Sequence, residues 1–341
     1  MEAVDVRGKF VWHQLMTRDV PGAKKFYSKL TGWKAEAWPP DPNYTVCHSG
    51  AGPTAGMMAI PAEMPGDVPS HWLQYIGTRD VDGTADAAVR AGGSILKAPS
   101  DMQGAGRYAV LKDPHGAVFA ILDPENARAE EPGVPALGTF SWHELATSDN
   151  EAAFAFYSAL FGWDAITRMD MGPVGTYLIF GWKGQQRGGM YISPSNKPMP
   201  PNWLPYVSIP SADAGFALAR STGAKEMMAP MDVPGGSRIA AFFDPSGAAF
   251  AVHSMPAAAA AQPAAAMKPK AKAKAKAKAK AKVMAKPKAT PKKKAAKKVA
   301  KKKVARKAVA KKRKAVKKSA RKAVAKKSKA KSKSKVSRRK K

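Results

Sequence analysis

In this 341-residue chain the residues best suited to chemistry stand in two short strings, WHQL at 12–15 and WHEL at 142–145. FVWHQLMT, which contains the first, is dominated by β-branched and aromatic residues and ends at a polar break, so it reads as a strand. Alternation puts Trp12, Gln14 and Met16 on one face, matched by Trp142, Glu144 and Ala146, and turns His13 and His143 to the other. If that face lines a cleft, it offers an aromatic wall and one polar anchor, suited to a flat or partly apolar ligand. The plainer reading is that the tryptophans only pack. Glu144, if it stands in such a mostly apolar cleft, would have a raised pKa and is a candidate general acid or base, with Gln14 in its place in the first string. His253 lies two residues past Ala251 on the same strand face, which permits a catalytic Glu144/His253 pair in the second copy only. The competing reading is a structural hydrogen bond at Glu144 and a solvated strand end at His253.

Other candidates are plainer. Arg107 and Arg238 occupy equivalent places before a closing hairpin, where they meet either an anionic ligand or an exposed salt-bridge partner. His115 is third in its turn, where Ser246 replaces it, and His48 and His71 have no histidine counterparts. Cys47 is the only cysteine, which excludes an intramolecular disulfide, a thiolate zinc finger and a dithiol redox motif. It reads as a small buried apolar residue.

The elements that position these residues come as an internal repeat. An offset of 130 maps WHQLMTRD onto WHELATSD and Phe26, Tyr27, Leu30, Gly32 and Trp33 onto Phe156, Tyr157, Leu160, Gly162 and Trp163. An offset of 131 maps Trp72, Leu73 and Tyr75 onto Trp203, Leu204 and Tyr206, and RYAVLKDPHGAVFAI onto RIAAFFDPSGAAFAV. Two copies of one domain follow, at 8–124 and 138–254, with a Pro- and Gly-containing linker at 125–137. Apolar residues from Val20 to Leu30 have helical spacing, and Val81 to Ala91 reads as a second helix ending at Gly92-Gly93. Short strands are expected at Trp33–Trp38, Tyr44–His48, Gly56–Ile60 and over WLQYIG, and DPHG and DPSG suit type I turns. Each domain is thus β-α-β-β-β, twice, an α+β chain.

The run from WHELATSD through FAFYSALFGW to FFDPSGAAFAV resembles the vicinal oxygen chelate superfamily of glyoxalases, bleomycin-resistance proteins and extradiol dioxygenases. The resemblance spans both repeats. It implies paired modules forming a curved mixed sheet around a cleft, and, in metal-dependent members, a divalent ion held by His, Gln or Glu from the first strand of each module and an acid from the last. Carried onto this chain, those positions fall on Trp12 and Trp142, Leu73 and Leu204, and Ala120 and Ala251. None is a metal ligand. The expectation is therefore a cleft without the usual metal and no other cofactor.

The formal charge of +33 is unevenly placed. Residues 267–341 hold 38 Lys+Arg and no acid, leaving 1–266 at −5. With no means of burying apolar surface, 255–341 is expected to be a disordered Ala/Pro/Lys-rich tail when free. It resembles the tails of linker histones and some bacterial nucleoid proteins, with Lys292 and Lys293 in a TPKK-type element, Thr290-Pro291-Lys292-Lys293, and Lys294 directly after it. ARKAVAKK occurs twice, supplying Arg306, Lys307, Lys311 and Lys312, then Arg321 and Lys322; Arg313, Arg338 and Arg339 add to the run. Such a polycation is expected to bind nucleic acid, DNA or RNA, through phosphates without sequence preference, with polyphosphate or an anionic membrane surface as alternatives that satisfy the same charges; without Phe, Tyr or Trp it has no ring to stack on bases.

No apolar run approaches a membrane span and the N-terminus lacks a basic start and apolar core, so a soluble cytoplasmic protein, nucleoid-associated through its tail, is expected. The leading function is binding of a small, partly apolar ligand in metal-free clefts, with the two domains pairing within the chain. A glyoxalase-type lyase or related enzyme and a nucleoid-associated DNA-binding protein are the alternatives.

Overall fold

The structure, a computed structural model, describes residues 4–127, 133–172, 175–194 and 199–256. The basic tail, with every tail residue named above, and part of the 125–137 linker lie outside these residues. The first copy runs β1 (Phe10–Thr17), α1 (Val20–Thr31), β2 (Lys34–Trp38), β3 (Asp41–Ser49), β4 (Gly52–Ala59), β5 (His71–Gly77), α2 (Val81–Arg90), β6 (Ser94–Met102), β7 (Gly106–Lys112) and β8 (Val118–Pro124). The second runs β9 (Phe140–Thr147), α3 (Asn150–Phe161), β10 (Asp164–Asp170), β11 (Thr176–Trp182), β12 (Gln185–Ile192), β13 (Asn202–Ser208), α4 (Ala212–Ser221), β14 (Lys225–Asp232), β15 (Arg238–Phe243) and β16 (Ala249–Ser254). No helix among the described residues is long and apolar enough to cross a membrane.

Helix ends are fixed locally. Asp19, Asp80, Asp149 and Ser211 each cap a helix, accepting a backbone N–H three residues on. Gly32 and Gly162 take φ of 76° and 71°, a left-handed stop that turns the next residue, Trp33 or Trp163, back into the core.

Each copy closes into one eight-stranded sheet, ordered β2-β3-β4-β1-β5-β8-β7-β6 and β10-β11-β12-β9-β13-β16-β15-β14. The modules meet where β1 runs antiparallel to β5, and β9 to β13. In the first copy one face of the sheet lines a cavity, and in both copies the other face is buried against the other copy. Phe26, Tyr27 and Leu30 of α1 share a core with Phe216 of α4, Phe242 and Phe250. Reciprocally, Val81 and Ala85 of α2 and Phe119 share one with Phe156, Tyr157 and Leu160 of α3. The two domains thus form one compact unit.

Polar links cross the same interface. Trp72 Nε1 donates to the Tyr27 hydroxyl at 2.9 Å, which donates to Asp244 Oδ2 in the other copy at 2.9 Å. Trp203, Tyr157 and Asp113 repeat this chain at 3.0 Å per step. The remaining oxygen of each aspartate holds backbone N–H groups of its own DP-x-G turn, so this turn and the tyrosine of the opposite copy fix one another. At the centre, His13 Nε2 and His143 Nε2 are 2.8 Å apart, with His13 stacked on Phe140 and His143 on Phe10. His143 Nδ1 lies 3.1 Å from the Arg187 carbonyl oxygen, which only accepts. His143 therefore carries its proton on Nδ1, and His13 must donate from Nε2. Burial lowers the pKa of both, that of His143 to about 3.

Candidate functional site

In the first copy the cleft is a cavity of about 840 Å³, whose lining includes Trp12, Gln14, Trp38, Tyr44, Tyr75 and Tyr108. Its floor is a directed chain of hydrogen bonds. Trp12 Nε1 donates to the Tyr44 hydroxyl at 2.8 Å, and that hydroxyl donates to Gln14 Oε1 at 3.3 Å. Tyr75 gives the same oxygen a second hydrogen bond at 3.2 Å. With its oxygen so used, Gln14 presents Nε2 to Met58 Sδ at 3.2 Å, a weak acceptor.

The second copy repeats the chain with a change of charge. Trp142 Nε1 donates to the Tyr177 hydroxyl at 3.0 Å, which donates to Glu144 Oε2 at 2.8 Å; Tyr206 donates to Glu144 Oε1 at 3.1 Å. Tyr191 takes the place of Met58, and its ring lies nearly parallel to that of Tyr177, with centroids 6.4 Å apart. Burial raises the Glu144 pKa, while the two phenols act in the opposite direction. Burial also raises the hydroxyl pKa values of Tyr177, Tyr191 and Tyr206, and the nearby Glu144 carboxylate adds to this.

One glycine in each copy makes the arrangement fit. Gly56 pairs with Gln14 and Gly189 with Glu144 on the adjacent parallel strand. A Cβ at Gly56 would run into the Tyr44 hydroxyl, and one at Gly189 into the Tyr177 ring. The missing side chain is what lets each tyrosine lie across the strand and reach the anchor. Sequence reasoning missed Tyr44, Tyr177 and this role for Tyr75 and Tyr206. The signal was available as Tyr44 and Gly56 recurring at Tyr177 and Gly189, an offset of 133 that the shifts of 130 and 131 pass over.

The other sequence candidates fall elsewhere. His253 Nδ1 pairs with Ser141 Oγ at 2.9 Å, and no hydrogen bond joins it to Glu144, whose oxygens go to the two tyrosines. Arg107 is bound by Asp82 and Asp101, and Arg238 by Asp213 and Asp232. Strand alternation explains why neither arginine enters a cleft: their neighbours Tyr108 and Ile239 are the ones packed on that face. His115 pairs with Ser148. Cys47 is fully buried and its thiol is pushed up to about 12 by burial, which leaves no thiolate for nucleophilic work.

The donor set does not fit the metal site that the resemblance implied. On the cleft face Trp12 pairs with Tyr75, and Tyr75 with Ala120, while Leu73 lies opposite Gln14. The tryptophan N–H offers no lone pair, and leucine and alanine offer no donor. Among the described residues no group of three or more His, Cys, Asp or Glu is placed to hold a metal ion.

Comparison with known proteins agrees with this architecture. The profile of the Glyoxalase/Bleomycin resistance protein/Dioxygenase superfamily matches residues 9–121 and 139–252. "Putative glyoxylase CFP32" of Mycobacterium tuberculosis is 31% identical over 71% of this chain and 92% of its own length. "Anthracycline biosynthesis protein DauV" of Streptomyces sp. (strain C5) is 31% identical over 72% of this chain and 92% of its own length. Less than a tenth of either relative is left unmatched, too little to hold a counterpart of the 75-residue basic segment. Among solved structures, 2,2',3-trihydroxybiphenyl 1,2-dioxygenase from Sphingomonas wittichii strain RW1 shares the fold at 11% identity, with a TM-score of 0.53 over 73% of this chain and 90% of that one. With two profile matches in tandem and relatives above 30% identity over most of their length, the chain belongs to the glyoxalase/bleomycin resistance/dioxygenase superfamily.

Proposed function

We propose that the folded unit binds small, partly apolar ligands in clefts that use a hydrogen-bonded polar anchor in place of a metal, and that the basic tail holds the protein on nucleic acid. The observation that carries this reading is the floor of the first cleft: a roomy aromatic cavity over Gln14, whose oxygen is locked by two tyrosines and whose N–H meets only a thioether. A flat ligand resting on Trp12 and Tyr108 with one oxygen at Gln14 Nε2 replaces that weak contact with a full hydrogen bond. The similarity to proteins named for anthracycline biosynthesis supports a planar aromatic ligand. The tail's 38 cations on 75 residues support the second half, because counterion release from a duplex needs no folded partner.

The first half is tested by titrating the full-length chain with neutral N-phenyl-1-naphthylamine and following probe fluorescence and tryptophan quenching. Saturable binding, weakened about tenfold or more by Gly56→Leu, whose side chain displaces Tyr44 from Gln14 on the cavity floor, is the expected result. Binding that is absent, or unaffected by Gly56→Leu in a protein with unchanged circular dichroism, removes the reading.

A second reading, an enzyme of glyoxalase or related type, is favoured by the placement of Glu144, a half-buried carboxylate held between the Tyr177 and Tyr206 hydroxyls where burial raises its pKa. It would make Glu144 a general acid or base. Glu144→Gln would then abolish turnover of an α-oxoaldehyde thiol adduct.

A further inference from the structure

The two clefts share a plan but differ at the atoms that would meet a ligand. Resting on the reading that both hold small molecules, we infer that the second cleft selects an organic cation, an alkylammonium group carried on a partly apolar molecule, whereas the first takes a neutral one. Gln14, which lines the first cavity, offers an N–H donor held by Met58 Sδ, while Glu144 has only acceptor oxygens. Both oxygens of Glu144 receive a phenol proton, the pattern of an ionised carboxylate. Two phenols leave lone pairs on each oxygen free for a further donor.

No Lys, Arg or His side chain hydrogen-bonds or ion-pairs with Glu144 among the described residues. Among the described residues that carboxylate therefore sits in a half-buried aromatic setting without a counter-ion, an arrangement a bound cation would complete. The walls suit the same guest. Trp142, Tyr177 and Tyr191 are each partly exposed around Glu144, and Tyr206 closes the floor. Trp142 and Tyr177 are ordered by the indole-to-phenol bond, and Tyr177 and Tyr191 present nearly parallel faces. Ring faces attract ammonium groups, most strongly where water is excluded. In the first copy Met58 replaces Tyr191 and Gln14 replaces Glu144, which removes one ring and the anchor's charge together.

The test uses the full-length chain, phenyltrimethylammonium as probe and its neutral isostere tert-butylbenzene. The indole N–H resonances of Trp12 and Trp142 are read by ¹⁵N NMR and assigned with Trp12→Phe and Trp142→Phe. The cation should move the Trp142 resonance saturably and about tenfold or more tighter than the isostere. Glu144→Gln should remove that preference. This variant keeps the fold because a carboxamide already makes the same tyrosine bonds at Gln14. Gln14→Glu should confer cation binding, read at Trp12. Equal affinity for the two probes, or a preference that survives Glu144→Gln, overturns the inference while naphthylamine binding leaves the cleft reading standing. If neither probe nor the naphthylamine perturbs either indole, the cleft reading falls as well.

Discussion

Removing one oxygen atom from the domain interface should cost the whole folded unit its stability margin together. In Tyr157→Phe the Trp203 indole N–H loses its acceptor and Asp113 Oδ2 loses its donor, both at 3.0 Å and both in a closed interior. A buried donor left without a partner costs about 1–3 kcal/mol, and a lost bond to a carboxylate about 1.5–3 kcal/mol. The deleted hydroxyl no longer has to be desolvated, so the net loss should be about 3 kcal/mol. Tyr27→Phe strips the same bonds from Trp72 and Asp244 and should cost a similar amount. The two chains lie in different core clusters, so the double variant should be additive within about 0.5 kcal/mol. Urea unfolding followed by circular dichroism and by tryptophan fluorescence reads the change. Because each core is built from both copies, one coincident transition should move to lower urea with its slope unchanged. A loss below about 0.5 kcal/mol, or a first step confined to half of the signal, would refute the argument that the copies are one cooperative unit.

Glu144→Gln should stabilise the protein at neutral pH. Burial raises the folded pKa of Glu144, so its favourable contribution is present below the unfolded value and is lost as pH rises through the folded one; the gap between variant and parent should therefore widen from pH 4 to pH 7 in denaturant melts. His13 and His143 act with the opposite sign. Their folded pKa values are depressed, so stability is full above about 6.5 and falls as pH drops toward 3, by about 1.4 kcal/mol per pH unit for each imidazole held neutral; His143→Gln should flatten that slope. Binding of the full-length chain to duplex DNA should weaken with salt at a log-log slope of about −0.9 per phosphate engaged, and truncation after Pro256 should abolish it; a flat salt response would remove the tail's role.

Much of the fold was legible because its signals are local. The helix read from Val20 to Leu30 runs Val20–Thr31, and the one read from Val81 to Ala91 runs Val81–Arg90, each set by an apolar face and an aspartate cap. The site was legible in part: alternation placed Trp12 and Gln14 on one face, and both line the cavity. What the sequence hid was partnership at a distance. Tyr27 and Asp244 are separated by 217 residues, so the FY and DP-x-G motifs were visible as a signature without their meaning, which is to tie the two copies together. His13 and His143 were rightly turned from the cleft, yet nothing in a strand pattern says that the opposite face is an interface where they meet. Tyr44 and Tyr177 escaped because their roles depend on a glycine on the next strand, and Arg107 and Arg238 drew attention through recurrence that reflects repeated salt bridges.

The decisive observation is the metal content of the full-length chain, determined by elemental analysis after incubation with Mn²⁺, Ni²⁺, Zn²⁺ and Fe²⁺ and exhaustive dialysis. With Trp12, Leu73 and Ala120 and their counterparts where the resemblance places the superfamily's ligands, retained metal should be far below one ion per chain, and ligand binding should be the same with or without chelator. Retention of one or two ions per chain, lost in Gln14→Ala or Glu144→Ala, would contradict the anchor-for-metal account and make metal-assisted chemistry the reading to pursue.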